Sequence, residues 1–240
     1  MLPKGVTLAD VAAGKHDAIY VSAANKLAQY GMLGVELRLG HEMDGDWYPW
    51  RAHPGSGLEA NFAAAFRRIV TVMRQAQPTN KWVWVWNPTE HKFTDRAYLE
   101  RLWPGDAYVD QIGIDCYDQI PSVLGSTYYP SGSDRLARQQ LVWNERARRL
   151  NILRDLAKAH GKPLQFPEWG LVTWKNGTPS GGGDNPYFIQ KMHEFFMDPA
   201  NNVVMQSYFD FTGSDLIYAL RDYPQSQAKF KQLFGAGASQ

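Results

Sequence analysis

Apolar and polar positions alternate between two periods along this chain. Five short runs are rich in β-branched and aromatic residues: 34–40, 81–87, 109–117, 163–168 and 203–211. Between them, apolar residues recur at helical spacing. Residues 17–30 show it, and 57–75 show it more strongly, with Phe62, Phe66, Ile69, Val70 and Met73 on one face. Asp134–His160 is long and basic and stops at Gly161, a residue suited to a helix C-cap. Pro186–Met197 opens with proline in its first turn, and Pro224–Phe234 closes the chain. Alternation of strand and helix predicts an α/β fold with a parallel sheet. No run approaches the roughly 18 apolar residues of a transmembrane helix. Ser180-Gly-Gly-Gly183 reads as a surface loop, and residues 235–240 as a frayed tail.

Composition narrows this only in places. The 240 residues suit one domain or two. Lys+Arg 25 against Asp+Glu 24 leaves a formal charge of +1, which argues for neither nucleic acid nor an anionic membrane as partner. The single cysteine, Cys116, excludes an intrachain disulfide, and its parity against Tyr117 predicts a buried apolar filler. No G-x-G-x-x-G loop follows a strand, so a nucleotide cofactor is not expected. His16, His53, His91, His160 and His193 lack metal-ligand spacing, and no catalytic metal is expected. The aromatic share of 13%, with 9 Trp, is what shifts the picture: so many rings either fill a core or grip flat ligand faces.

In parallel α/β folds the reactive groups stand just past the C-terminal ends of strands. The first run leads into His41-Glu42-Met-Asp44-Gly-Asp-Trp47-Tyr48-Pro-Trp50, the fourth into Glu168-Trp169-Gly170. Two strand ends therefore each deliver a glutamate with tryptophan beside it. Retaining glycoside hydrolysis needs two such carboxylates, one as nucleophile and one as acid/base. The other ends deliver Trp86-Asn87, Asp115-Cys-Tyr117-Asp118 and Tyr208-Phe209. Taken singly, a glutamate at a strand end is usually a surface residue, and a lone histidine such as His41 is usually a satisfied core residue. The pairing and the surrounding rings favour chemistry.

His41 through Trp50 resembles the acid/base segment of glycoside hydrolase family 26, the β-mannanases and their relatives. Residues 104–117 are similar to that family's sixth-strand segment, and 162–170 to its seventh-strand nucleophile segment. The resemblance runs over residues 8–235. It implies a (β/α)8 TIM-barrel fold in which this chain supplies strands four to eight. The first three strands have no counterpart, so residues 1–240 are expected to form one catalytic domain that is N-terminally incomplete. It implies a retaining endo-hydrolase of a β-linked polysaccharide, foremost β-1,4-mannan, with Glu42 as acid/base and Glu168 as nucleophile. Mixed-linkage β-glucan or β-xylan is the alternative substrate, and a non-catalytic glycan-binding fragment the alternative role. Tyr117 is expected to hydrogen-bond the nucleophile. His41, Trp47, Trp50, Trp86, Tyr117, Trp169, Tyr208 and Phe209 are the candidates for holding sugar. Asp44 departs from the family's usual asparagine. A polysaccharide substrate implies an extracytoplasmic full-length protein, although Met1-Leu-Pro-Lys-Gly lacks the apolar core of a signal peptide.

Several residues stay open between structural and functional readings. Trp82 and Trp84 alternate with valines and read as core; Trp86, nearest the strand end, stands evenly between core and sugar. Asn87 is either a turn residue or a polar contact. Arg38 shares parity with Glu42 and is either a structural ion partner or a tuner of its proton affinity. Asp115 reads as structural. The basic stretch 135–154 reads as a solvated helix face.

Overall fold

The computed structural model describes residues 1–93, 95–119, 124, 134–177 and 181–235. Two compact units divide the chain: residues 1–114 with 155–163, and residues 115–154 with 164–240.

In the first unit, helix α1 (Leu8–Ala12) starts where the Thr7 side chain accepts the Asp10 amide, and α2 (Asp17–Gln29) follows. Strand β1 (Glu36–Arg38) pairs in parallel with β2 (Val83–Trp86), in register Leu37 to Trp84, and β2 pairs in parallel with β3 (Gln111–Tyr117). Between them lie α3 (Glu59–Ala76) and α4 (Arg96–Leu102). The α3 face foreseen from periodicity is the buried one: Phe62, Phe66, Ile69, Val70 and Met73 are all at or below 5% exposure. Each such side chain contributes about 1.5–3 kcal/mol by leaving water. Asp95 caps α4 by accepting the Tyr98 amide at 2.8 Å.

In the second unit, β4 (Leu164–Gly170) pairs in parallel with β6 (Val203–Tyr208), with an irregularity between Phe166 and Trp169. The short β5 (Thr173–Trp174) and β7 (Leu216–Ile217) form a separate antiparallel pair. The helices are α5 (Asp134–His160), α6 (Pro186–Met197) and α7 (Pro224–Phe234). Chain order carries β3 and α5 through both units. Helix α5 ends as the sequence suggests. Gly161 takes φ 62°, and the amides of Gly161 and Lys162 close on the carbonyls of Lys158 and Ala157. That is a Schellman end, which needs a residue at ease with positive φ. Cys116 is fully buried, its Sγ 4.0 Å from Met192 Sδ.

All five foreseen strands are present, and the long helices lie within a residue or two of their expected ends. Two expectations are corrected. Gly181 and Gly182 are buried, not a surface loop, and the Gly182 amide donates to the Asp118 carbonyl at 2.8 Å. A Cβ on Gly182 would collide with the Asp118 carboxylate, so glycine permits the approach. Ser180 and residues 236–240 lie outside the described residues. The stretch 135–154 is not wholly a solvated face, because Arg146 is 1% exposed. It lies on the buried stripe of Val142, Leu150 and Leu153 and ion-pairs with the buried Asp118 at 3.2 Å.

Candidate active site

The first unit builds the surroundings of Glu42. The chain leaves β1 through Gly40 and turns, and Glu42 takes φ 53°, a left-handed conformation that costs a non-glycine residue of order 1–3 kcal/mol. Backbone bonds hold the turn: the Glu42 amide donates to the Asn87 carbonyl at 2.7 Å, Gly45 to the Glu42 carbonyl at 3.0 Å, and Ala52 to the Met43 carbonyl at 2.6 Å. The turn swings the following aromatics back toward the glutamate. Trp47 donates its indole N–H to Glu42 Oε2 at 2.7 Å. The Trp47 ring lies nearly parallel to His91 with centroids 6.2 Å apart, and Lys92 Nζ stands 5.0 Å from its centre. His41 Nε2 shares a hydrogen bond with the Tyr48 hydroxyl at 3.1 Å. Trp50 stacks on Tyr48 at 4.6 Å and donates its N–H to the His41 carbonyl at 2.8 Å. His41, Trp47 and Trp50 thus belong to one ring cluster around Glu42.

Two open readings close here. Asn87 is a polar contact: fully buried, its Oδ1 accepts from Arg38 Nε at 3.1 Å, and its carbonyl holds Glu42. A Cβ at Gly113 would meet the Asn87 amide, so glycine in β3 makes the space for it. Trp86 belongs to the core. It is fully buried, its N–H donates to the Leu102 carbonyl at 3.3 Å, and its ring meets Trp103 edge-on. Parity explains it: Trp82, Trp84 and Trp86 share the face of β2 that meets the helices.

The second unit builds the surroundings of Glu168, near the end of β4. Tyr117 closes β3 and donates its hydroxyl to Glu168 Oε2 at 2.7 Å, as the resemblance implied. Burial first, and then the Glu168 charge, push the Tyr117 phenol well above the usual range, so it stays a donor. Phe209 meets Tyr117 edge-on at 5.9 Å, and Tyr218 packs against it at 4.9 Å. Arg146 ties down the strand end by donating to the carbonyls of Tyr117 (3.1 Å) and Gln119 (2.8 Å).

Trp169 and Tyr208 differ from their expected sugar-holding place. Trp169 is fully buried, donates to Gln206 Oε1 at 2.6 Å, and packs against Phe188, Phe196 and Phe230. It neighbours Glu168 in sequence, and neighbours in a strand point to opposite faces. Tyr208 spends its hydroxyl on backbone: it donates to the Tyr218 carbonyl at 2.9 Å and accepts the Leu171 amide at 3.2 Å. Tyr218 and Arg146 were not foreseen. The helical stripe of Val142, Leu150 and Leu153 signals Arg146; Tyr218 follows the two-residue β7, too short for a period to show. Among the described residues no group of three or more His, Cys, Asp or Glu is arranged to hold a metal ion.

An α/β chain whose parallel strands lead to glutamates ringed by aromatics has the make-up of a glycosidase barrel. The sequence profile described as Glycosyl hydrolase family 26 matches residues 9–131, and the chain belongs to that family. It is 28% identical over 233 residues to Endoglucanase H of Acetivibrio thermocellus, covering 96% of this chain and 23% of that protein. It is 24% identical over 201 residues to a mannan endo-1,4-beta-mannosidase of Bifidobacterium adolescentis, covering 82% and 18%. Among solved structures, it is similar to GH26C from Muricauda sp., with a TM-score of 0.67 at 17% identity, covering 96% of this chain and 58% of that one. The fold is therefore the TIM-barrel type, of which the described residues carry five parallel strands. The chain spans about a quarter or less of the length of these two curated relatives.

Proposed function

We propose that the chain carries the catalytic centre of a retaining endo-glycoside hydrolase acting on a β-linked polysaccharide, with β-1,4-mannan as the foremost substrate. The Tyr117 hydroxyl on Glu168 is the observation that carries the reading. A donor fixed on one carboxylate oxygen orients the group, and an oriented carboxylate is what attack on an anomeric carbon needs. Glu168 displaces the leaving sugar and forms a glycosyl-enzyme. Glu42, oriented by Trp47, protonates the departing oxygen and then takes a proton from the water that releases the product. His41, Trp47, Trp50, Tyr117 and Phe209 offer ring surfaces to the C–H faces of the sugars. A polymer of this size is met outside the cytoplasm, which makes that the place of action. The match to an endoglucanase over 96% of the chain favours β-glucan as the second substrate.

The test is reducing-sugar release from β-1,4-mannan, mixed-linkage β-glucan and β-xylan by the wild type, Glu42→Ala and Glu168→Ala. Each variant should lose about 10²–10⁴-fold in kcat. Azide should rescue Glu168→Ala and give a glycosyl azide of inverted configuration. Undiminished hydrolysis by either variant, or binding to mannan without sugar release by the wild type, overturns the reading.

A further inference from the structure

Asp44 is a fully buried carboxyl two residues beyond Glu42, in the same turn. Both its oxygens are used on one residue of another segment. Oδ1 accepts the Thr89 amide at 2.9 Å, and Oδ2 is 3.1 Å from the Thr89 hydroxyl. Two residues before Thr89, the Asn87 carbonyl accepts the Glu42 amide. The segment 87–89 thus grips the turn twice, once at the glutamate's own backbone and once through Asp44. The first grip falls on the left-handed residue Glu42 itself, the second two residues beyond it. Such a conformation persists only where its surroundings over-determine it. A carboxyl with this burial does no solubilising work, and the reaction outlined above does not use it.

We propose that Asp44 is a positioning residue for Glu42: through Thr89 it anchors the turn that carries the glutamate, and its charge state is felt at the Glu42 carboxyl. The proposal rests on Glu42 as acid/base only for its effect on rate. Burial raises the Asp44 carboxyl to about 7, with the Glu42 charge adding to the rise against the bonds from Thr89. Glu42, in its own turn, is the charge that bears on Asp44. From α4 comes the Tyr98 phenol, itself raised by burial and then by Asp44, with Glu59 and Arg101 beyond it. Glu90, buried, follows Thr89 in the facing segment. Asp44 is thus a carboxyl of this turn that keeps its proton until the pH approaches neutrality.

The experiment follows the carboxyl carbon signal of Glu42, assigned with Glu42→Gln, by 13C NMR from pH 3 to 9. The wild type should show a step near pH 7, where Asp44 loses its proton; Asp44→Asn should lack it. The amide side chain keeps both bonds to Thr89 and removes the charge, whereas Asp44→Ala removes both. On the panel substrate that the wild type hydrolyses, Asp44→Ala should fall about tenfold below Asp44→Asn in kcat, with KM within twofold. A Glu42 signal with the same pH dependence in wild type and Asp44→Asn overturns the proposal, as does Asp44→Ala turning over as fast as Asp44→Asn. Absence of hydrolysis by the wild type on every substrate overturns the function proposed above, and the NMR titration still decides the relation of Asp44 to Glu42.

Discussion

The Tyr117 hydroxyl sits 2.7 Å from Glu168 Oε2 and donates to it. The phenol is buried against Phe209 and Tyr218, and its proton is retained far into the alkaline range. The bond therefore persists at any working pH and holds the Glu168 carboxyl in one orientation. Tyr117→Phe removes the donor and keeps the ring. With Glu168 as nucleophile, kcat/KM should fall about 10–100-fold, the range expected for a hydrogen bond to a charged group. Most of the loss should fall on kcat, because the carboxylate is no longer held in one orientation. Steady-state kinetics on mannan check this, and an unchanged kcat/KM would contradict the role.

Trp47 plays the matching part for Glu42, but 44% of it is exposed. Solvent screening weakens its influence on the carboxyl. Trp47→Phe removes the donor and keeps a ring. The rate should fall about tenfold through lost orientation. Initial rates on mannan check this, and an unchanged kcat would contradict a positioning indole.

Buried Asp44 makes stability depend on pH. Its carboxyl stands at about 7 in the folded chain against an ordinary value of 3.8. The folded state thus binds this proton more tightly than the unfolded one. The resulting stability is fully present below about pH 4 and is lost as pH rises through 7. Relative to Asp44→Asn, the wild type should lose stability over that window with a slope no steeper than ~1.4 kcal/mol per pH unit, the one-proton limit. Urea unfolding of both proteins at half-unit pH steps checks this; parallel curves would show that the carboxyl is not titrating there.

Arg146 and Asp118 form an ion pair with side-chain exposures of 1% and 0%. Asn185 also donates to Asp118, at 2.7 Å. Arg146→Met leaves the carboxylate without its cation and should cost about 3–5 kcal/mol. Adding Asp118→Asn should recover part of that loss, because the stranded charge is gone. Chemical denaturation of the single and double variants measures the difference, and equal stability of the two would show the pair to be unimportant.

Much of this was legible in the chain itself. The two periods place five strands and the long helices, since burying one face of each element demands a regular repeat. Gly161 marks the end of α5 for a backbone reason that is local. The contact of Tyr117 with Glu168 follows from the motifs in which the two residues stand. The misplaced aromatics share one cause. Trp86, Trp169 and Tyr208 stand at strand ends and look like sugar platforms, but side-chain parity turns them toward the helices, where their polar atoms find Leu102, Gln206, Tyr218 and Leu171.

The sequence by itself determined the alternation of strand and helix, the glutamate-bearing strand ends and the buried face of α3, because each depends on spacing within one segment. Only the tertiary structure decided the rest. Asn87 became the acceptor for both Arg38 and the Glu42 amide, and Asp44 found Thr89 across 45 positions. Arg146 turned from a helix charge into the clasp of β3, and Tyr218 came to pack on Tyr117. Each of these is a contact between distant segments, set by what burial must satisfy once the chain is packed, and no local period encodes it.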